Sequence, residues 1–193
     1  MKRIAIIQGH PDPAPERFCR ALAAAYAKAA EWAGHEVRTI DVTTLDFPLL
    51  RTRADWESAA PPPAVAAAQR TLAWSGHVVI VFPLWLGALP ALLKAFLEQV
   101  LRPGFAVRYR TNGMPVKLLK GRSARIVVTM GMPGFFYEAF SRAHSIRSLE
   151  RNVLSFVGVD PVARTVVGAI EAKSGKGRAR ALATMRRLGR EAR

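Results

Sequence analysis

A histidine and an arginine flank a proline-rich loop near the start of the chain, in the stretch GHPDPAPERFCRAL (residues 9–22). His10 and Arg17 follow a short apolar run, Ile4–Ile7, and precede a pattern typical of a helix. The first N–H groups of a helix have no intrahelical partner, and together with the helix dipole they favour a bound anion. Arg17 could also hold a phosphate through two parallel hydrogen bonds. The loop fits an anion site, and equally a proline-stiffened connection with two solvated side chains.

A second loop, FPLWLGALP (residues 82–90), places three large apolar side chains directly after another apolar run. These are Leu84, Trp85 and Leu86, and Gly87 beside them permits a close approach of the backbone. A flat aromatic ligand could lie on such a surface. Packing in the core or at a subunit interface explains the same residues.

A third loop, TMGMPGFFYEAF (residues 129–140), begins with a glycine-rich turn that could present backbone N–H groups to a ligand. Tyr137 offers a phenol for hydrogen bonding or proton transfer. His144 follows seven residues later, about two helical turns along the same face. A tyrosine at an interface and a histidine on the surface are the alternative interpretations.

The sequence contains no evident nucleophile and no metal site. The serines lack a nucleophile elbow, and the four histidines are scattered without carboxylate partners. A single cysteine, Cys19, excludes an internal disulfide and fits a reducing compartment, so we expect a cytoplasmic protein. The chemistry of an enzyme with these features would belong to a bound cofactor.

Apolar runs alternate with helical patterns along the whole chain. The predicted strands are Lys2–Gln8, Glu36–Val42, His77–Phe82, Ala124–Thr129 and Arg164–Val167. The predicted helices are Arg17–Ala33, Ala64–Trp74, Ala88–Leu101, Phe136–Val157 and Gly177–Glu191. In the first helix the apolar face comprises Phe18, Ala21, Leu22, Ala25, Tyr26 and Ala29, with Gly34 just beyond its end. Residues 102–121 are predicted to be a loop.

This alternation predicts an α/β fold with an open, doubly wound parallel sheet in one domain over residues 1–193. Such sheets bind ligands beyond the carboxyl ends of their strands, at a topological switch point. The loops after the first, third and fourth strands, Gly9–Glu16, Pro83–Ala88 and Met130–Tyr137, are therefore the candidate site.

Positive charge is concentrated in the second half of the chain. The net charge is +15, of which residues 1–96 contribute +2 and residues 97–193 contribute +13. A basic surface of this kind could attract nucleotide phosphates or an acidic partner, or could serve only as a solvated surface. No nucleic-acid-binding motif accompanies it, so we do not expect a nucleic-acid partner.

Taken in order, the three loops resemble motifs of the NAD(P)H:quinone oxidoreductase family. GHPDPAPERFCRAL is similar to that family's G-H-P-x-x-x-S-F-N-x-A-L segment. Two further motifs of the family are matched with the same spacing. The first is matched by FPLWLGALPALLKAFLEQVL followed by GFAV, and the second by LLKGRSARIVVTMGMPGFFYEAF. The resemblance extends from residue 1 to about residue 160.

This resemblance implies a flavodoxin-like three-layer sandwich with strand order 2-1-3-4-5. It also implies a homodimer with two flavin sites and a ping-pong, two-electron transfer from NAD(P)H through flavin to a quinone or similar electrophile. By motif position, the residues implied around the flavin phosphate are His10, Arg17, Phe18 and Cys19. Those implied along the isoalloxazine ring are Pro83, Leu84, Trp85 and Leu86, with Thr129, Met130, Gly131 and Met132 at its pyrimidine end. Tyr137 and His144 are the implied catalytic residues.

Two departures from the family pattern fall in the first loop, where Arg17 replaces a serine and Cys19 replaces an asparagine. These changes leave FAD and FMN both open, and neither NADH nor NADPH is selected. The alternative function is a regulatory subunit that docks on a membrane transporter or another partner, with the basic half as the docking surface.

Overall fold

The computed structural model describes residues 1–57, 60–133, 143–172 and 174–193. Its strands are β1 (Arg3–Gln8), β2 (Glu36–Asp41), β3 (His77–Pro83), β4 (Val107–Tyr109), β5 (Pro115–Lys117), β6 (Ser123–Thr129) and β7 (Val162–Val167). Five of them form a parallel sheet in the order β2-β1-β3-β6-β7. The predicted order 2-1-3-4-5 and the flavodoxin-like fold are therefore confirmed.

The helices cover both faces of this sheet. They are α1 (Phe18–Trp32), α2 (Arg53–Glu57), α3 (Pro63–Trp74), α4 (Ala91–Val100), α5 (His144–Ser148), α6 (Ser155–Val157) and α7 (Gly175–Glu191). A 3₁₀ turn, Val42–Thr44, follows β2, and a π-helical segment, Leu149–Leu154, joins α5 to α6. Within the described residues, no helix has both the length and the apolar character needed to cross a membrane.

The apolar runs of the sequence correspond to strands buried on both faces of the sheet. Ile4 and Ile6 face one apolar layer together with α1 and α7, whereas Ala5 and Ile7 face the other layer. The same alternation holds along β3, where all seven residues are buried. Because both faces are covered by helices, these strands need apolar side chains at every position, and β-branched residues fit them well.

The buried face of α1 differs from the predicted face. The residues buried in α1 are Cys19, Leu22, Ala23, Tyr26, Ala29 and Ala30, whereas Ala21 and Ala25 are only partly buried. The cause is α7, which packs along α1 so closely that a Cβ at Gly189 would lie 2.3 Å from the Tyr26 carbonyl oxygen. A neighbour this distant in sequence cannot be read from the helix's own periodicity.

The segment predicted as a loop, residues 102–121, contains a short antiparallel hairpin of β4 and β5. Its turn includes Asn112 and Gly113, and Gly113 adopts a positive φ of 79°. Asn-Gly between two short runs is a hairpin signal, but each strand has only three residues. The fifth strand of the sheet is also longer than predicted, beginning at Val162 rather than Arg164.

The register of the sheet brings three strand ends to one edge. Gln8, the last residue of β1, pairs with Val81, and Pro83, the last residue of β3, pairs with Thr129, the last residue of β6. The backbone pairing continues one step further, since the Leu84 N–H donates to the Thr129 carbonyl over 2.7 Å. The loops that follow β1, β3 and β6 therefore leave the sheet side by side.

Candidate functional site

A cavity of about 270 Å³ lies at this edge of the sheet. Seven residues expected at the site from the sequence line it: His10, Arg17, Phe18, Cys19, Pro83, Trp85 and Thr129. They come from the loop after β1, the first turn of α1 and the ends of β3 and β6. Parallel strands place their carboxyl ends at one edge, which is why these separate segments meet.

The first loop begins with a glycine that packs closely against α4. A Cβ at Gly9 would lie 2.7 Å from Cδ2 of Leu93, so a larger residue here would force the buried Leu93 side chain to shift. Beyond it, the Asp12 carboxylate organises the turn by accepting a hydrogen bond from the Ala14 N–H over 2.8 Å. Arg17 donates to the same carboxylate over 2.7 Å from Nε and 2.6 Å from Nη2. The Ala14 N–H first, and Arg17 next, hold the pKa of Asp12 below its ordinary value.

His10 connects the first loop to the second. Its Nδ1 accepts a hydrogen bond from the Asp12 N–H over 3.0 Å, which leaves Nε2 to carry the proton of the neutral ring. Burial lowers the pKa of His10, with Asp12 opposing that shift. The imidazole also meets the Trp85 indole edge to face, with 5.9 Å between the ring centroids. His10 thus presents a neutral ring whose N–H donor at Nε2 has no hydrogen-bond partner among the described residues.

Cys19 connects the first turn of α1 to the end of β6. Its Sγ lies 3.1 Å from Oγ1 of Thr129, and both side chains are buried. Burial raises the pKa of the Cys19 thiol to about 11, so it stays protonated at neutral pH. Since the thiolate is the reactive form of cysteine, Cys19 serves here in packing and hydrogen bonding rather than as a nucleophile.

The second loop turns back in two residues. Trp85 and Ala88 exchange backbone hydrogen bonds of 3.0 Å and 2.9 Å, and Leu86 and Gly87 between them both have positive φ. This turn leaves the Leu86 side chain wholly exposed and the Trp85 side chain 49% exposed. The cavity edge therefore carries a protruding apolar tip.

The other described residues expected at the site from the sequence do not line the cavity. Leu84 packs partly buried against the core, Met130 is buried in the core, and Met132 is half exposed. Gly131 lies beside Glu171, whose carboxylate would be 3.6 Å from a Cβ at that glycine. His144 is exposed at the start of α5, and Tyr137 lies outside the described residues.

Four residues that line the cavity were not named as cofactor-binding residues from the sequence: Glu16, which ends the first candidate loop, and Ile170, Glu171 and Arg178. The last three follow β7, whose carboxyl end lies at the same edge of the sheet as those of β3 and β6. The loop after the fifth strand could have been added to the candidates on that ground alone. The family motifs did not include it, because the resemblance ends near residue 160.

The N-terminus of α1 opens into the cavity, and among the described residues only the Gln8 amide oxygen caps its first turn, accepting from the Arg20 N–H over 3.1 Å. Arg17 occupies the N-cap position, makes no capping hydrogen bond, and the first turn contains no acidic residue. Helices usually satisfy these N–H groups with a side chain or a ligand. One end of the cavity therefore offers hydrogen-bond donors and positive charge, while Pro83 and Trp85 make the other end apolar.

Comparisons with known proteins identify similar chains. The family model described as Flavodoxin-like fold matches residues 2–188. A curated relative from Haemophilus influenzae, named an uncharacterized NAD(P)H oxidoreductase, is 27% identical over 178 residues, which cover 90% of this chain and 87% of that protein. A Bacillus cereus protein named FMN-dependent NADH:quinone oxidoreductase 3 is 28% identical, with 91% of each chain covered.

Solved structures share the fold. An NAD(P)H:quinone oxidoreductase from Methanothermobacter marburgensis superposes with a TM-score of 0.82 at 22% identity, covering 99% of this chain and 96% of that one. An FMN-dependent NADH-azoreductase from Bacillus anthracis, solved in complex with FMN, gives a TM-score of 0.75 at 16% identity, covering 100% and 97%.

Proposed function

Because this chain belongs to the flavodoxin-like fold family, we propose that it is an FMN-dependent NAD(P)H oxidoreductase that reduces quinones or related electrophiles. The observation that carries the proposal is the two-ended cavity at the carboxyl ends of β1, β3 and β6. It joins a helix N-terminus to a surface made by Pro83 and Trp85. The similar curated proteins named as NAD(P)H or FMN-dependent oxidoreductases support this function and favour FMN over FAD.

The donor set of the cavity suits a flavin mononucleotide. The free N–H groups of the first turn of α1 would bind the phosphate, which carries nearly two negative charges at neutral pH. The isoalloxazine ring would lie against the apolar side of the cavity, at Pro83 and Trp85. When bound, the flavin supplies the hydride chemistry, accepting two electrons from NAD(P)H and passing them to the acceptor.

The protein's own part in the reaction is to bind, orient and supply hydrogen bonds. His10 holds a proton at Nε2 and stays neutral near pH 7, because its buried ring has a lowered pKa. Its contact with Trp85 orients the indole that would face the ring. We propose Tyr137 and His144 as the groups that donate protons to the acceptor. Among the remaining proposed cofactor residues, Leu86, Gly131 and Met132 would shape the rim of the site, and Leu84 and Met130 would support it from the core.

A homodimer and a cytoplasmic location are further parts of this proposal. The apolar tip formed by Trp85 and Leu86 supports a second copy of the chain, since contact with it would remove exposed apolar surface from water. A regulatory subunit docking on a membrane transporter is not favoured, because the similar curated proteins are named as oxidoreductases.

Purification of the full chain and denaturing release of its flavin test the proposal. We expect a yellow protein that releases FMN and oxidises NADH or NADPH in the presence of a quinone. A panel of quinones assayed with both nucleotides would identify the preferred pair. A colourless protein that neither binds added flavin nor oxidises NAD(P)H would overturn the proposal.

A further inference from the structure

A second polar cavity, of about 460 Å³, lies at the amino ends of the strands, at the opposite edge of the sheet from the cavity described above. Its walls come from the start of β1, the end of α3 and the turn before β6. Backbone hydrogen bonds hold these segments together. The Gly76 N–H donates to the Arg3 carbonyl over 2.8 Å, and the Ser123 N–H donates to the Gly76 carbonyl over 3.2 Å. We call this space the amino-edge cavity.

Positive charge dominates the amino-edge cavity. Among the described residues no Asp or Glu lines it, whereas four cations do: Lys2, Arg3, Lys120 and Arg122. None of these four side chains forms an ion pair within the part of the chain that the structure describes. Glu36, opposite Arg3 in the sheet, and Asp160, whose N–H donates to the Arg122 carbonyl, are exposed and do not line the cavity. The positive charges are therefore uncompensated by described side chains.

Neutral carbonyl groups hold two of these cations in place. Arg122 donates from Nε to the Leu72 carbonyl over 3.2 Å and from Nη2 to the Ala73 carbonyl over 2.9 Å, at the end of α3. A third bond, from Nη1, goes to another backbone carbonyl, so two of the five guanidinium N–H donors have no partner among the described residues. Lys2 donates from Nζ to the Ala192 carbonyl over 3.1 Å. These bonds orient the cations but leave their charge in place.

An indole ring holds a third cation beside them. The guanidinium carbon of Arg3 lies 6.0 Å from the centre of the Trp74 ring, and that of Arg38 lies 4.1 Å from the same centre. An aromatic ring attracts guanidinium groups at these distances without neutralising them. Arg38 therefore adds a fifth cation next to the amino-edge cavity.

The environment of Arg122 shows the same lack of a counter-charge. Burial lowers the pKa of Arg122, and no carboxylate opposes that shift. Withdrawing a cation from water is unfavourable unless an opposite charge lies nearby. A bound anion would supply that charge to Arg122 and to the three other cations at once.

We propose that the amino-edge cavity binds a diphosphate or triphosphate group, carried by a nucleotide or by an inorganic polyphosphate. A multivalent anion suits a site where four cations meet without a carboxylate, and guanidinium groups match the geometry of phosphate oxygens. The site is separate from the flavin site and does not depend on the proposed function. The competing explanation is that Arg122 only caps α3 and that the other cations are solvated.

Isothermal titration calorimetry of the full chain tests the proposal with defined anions. The probes are orthophosphate, pyrophosphate, tripolyphosphate, ADP and ATP. We expect tripolyphosphate to bind at least about 10-fold more tightly than orthophosphate, with pyrophosphate between them, because the attraction grows with the charge of the anion. Tighter binding of ADP and ATP than of the inorganic anions would identify a nucleotide as the ligand. The opposite order would identify an inorganic polyphosphate.

Two double variants of equal net charge locate the binding. Arg3→Gln combined with Lys120→Gln removes two positive charges from the amino-edge cavity and should raise the Kd for tripolyphosphate about 10- to 100-fold. Lys176→Gln combined with Arg180→Gln removes two exposed charges at the start of α7, at the opposite edge of the sheet. This control should change the Kd less than about twofold, because charges more than about 8 Å away are largely screened at physiological salt. Circular dichroism checks that both variants are folded.

Three results would overturn the inference. A wild-type chain that does not bind tripolyphosphate more tightly than orthophosphate has no such site. Equal losses in the two double variants would mean that the anions respond only to overall charge. A larger loss in the Lys176/Arg180 variant would place the anion at the flavin edge of the sheet. Each of these results would leave the proposed function intact.

Discussion

The Cys19 thiol and the Thr129 hydroxyl form a buried hydrogen bond of 3.1 Å that joins the first turn of α1 to the last residue of β6. The two residues are 110 positions apart, and their side chains are 2% and 1% exposed. The bond fixes the N-terminal end of α1 against the sheet edge where the cavity opens. It also gives Cys19 a structural role at a position where the resembling family has an asparagine.

Breaking this bond should destabilise the protein. Cys19→Ala and Thr129→Val should each lower the free energy of unfolding by about 1–3 kcal/mol, because each removes buried contacts or leaves a buried polar group unpaired. Urea unfolding measures the effect. The double variant should lose less than the sum of the two single losses, since both remove the same interaction. Strictly additive losses would show that the bond contributes nothing of its own.

Arg17→Ala should weaken flavin retention more than Cys19→Ser does. Removing Arg17 leaves the Asp12 carboxylate uncompensated at the phosphate end of the cavity, where it would repel an anion. Serine at position 19 can still hydrogen-bond to Thr129. The measurement is the flavin content of each purified variant, and equal occupancy in both would contradict the expectation.

The ion pair between Arg20 and Asp41 should make stability depend on acid pH. Arg20 donates to the two Asp41 oxygens over 2.6 Å and 3.3 Å. Burial alone would raise the pKa of Asp41, but hydrogen bonds from Arg20 and Thr43 outweigh it and hold the pKa below the ordinary 3.8. A lowered folded-state pKa stabilises the protein above the unfolded-state value, and this stabilisation is lost as the pH falls through the folded-state pKa.

Asp41→Asn tests this linkage. At pH 7 the free energy of unfolding of the variant should be about 1–3 kcal/mol lower than that of the wild type. The difference should shrink below about pH 4, where the wild-type carboxyl begins to gain its proton. Denaturant unfolding at a series of pH values measures it, and a difference that does not vary with pH would refute the linkage.

Gly189→Ala should force α1 and α7 apart. A Cβ at this position would lie 2.3 Å from the Tyr26 carbonyl oxygen, which belongs to backbone and cannot rotate away. We expect a loss of about 1–3 kcal/mol in the free energy of unfolding, the usual effect of overpacking. Gly175→Ala in the same helix is the matched control, since nothing lies within 4 Å of a Cβ there. Because alanine favours a helix more than glycine does, Gly175→Ala should lose no stability. A Gly189→Ala variant as stable as the wild type would show that the two helices accommodate the added methyl group.

Most of the fold could be predicted from the sequence because its strands and helices are specified by patterns of neighbouring residues. Apolar runs such as Val78–Phe82 and the repeating pattern of α1 specify a doubly buried strand and an amphipathic helix from neighbouring residues alone. Gly34 ended α1 as expected, with a positive φ of 81°. The β4–β5 hairpin was missed because three-residue strands are too short to show a period.

The sequence predicted where the site residues lie but not how their side chains pair. The carboxyl-end rule and the motif resemblance brought His10, Pro83 and Thr129 to one edge, where the structure has them. Neither could show that Asp12 already pairs with Arg17, because a motif position indicates where a residue stands and not what its side chain binds.

By itself, the sequence determined the order of strands and helices, the family resemblance and the edge of the sheet at which a ligand would bind. Side-chain periodicity and turn preferences depend on only a few neighbouring residues, so they can be recognised in the sequence without knowing its tertiary contacts. Only the tertiary structure decided which charges in the cavity are compensated and which are free. Arg178 meets Phe18 because α7 packs on α1, and contacts between elements so far apart in the chain arise only when the layers assemble.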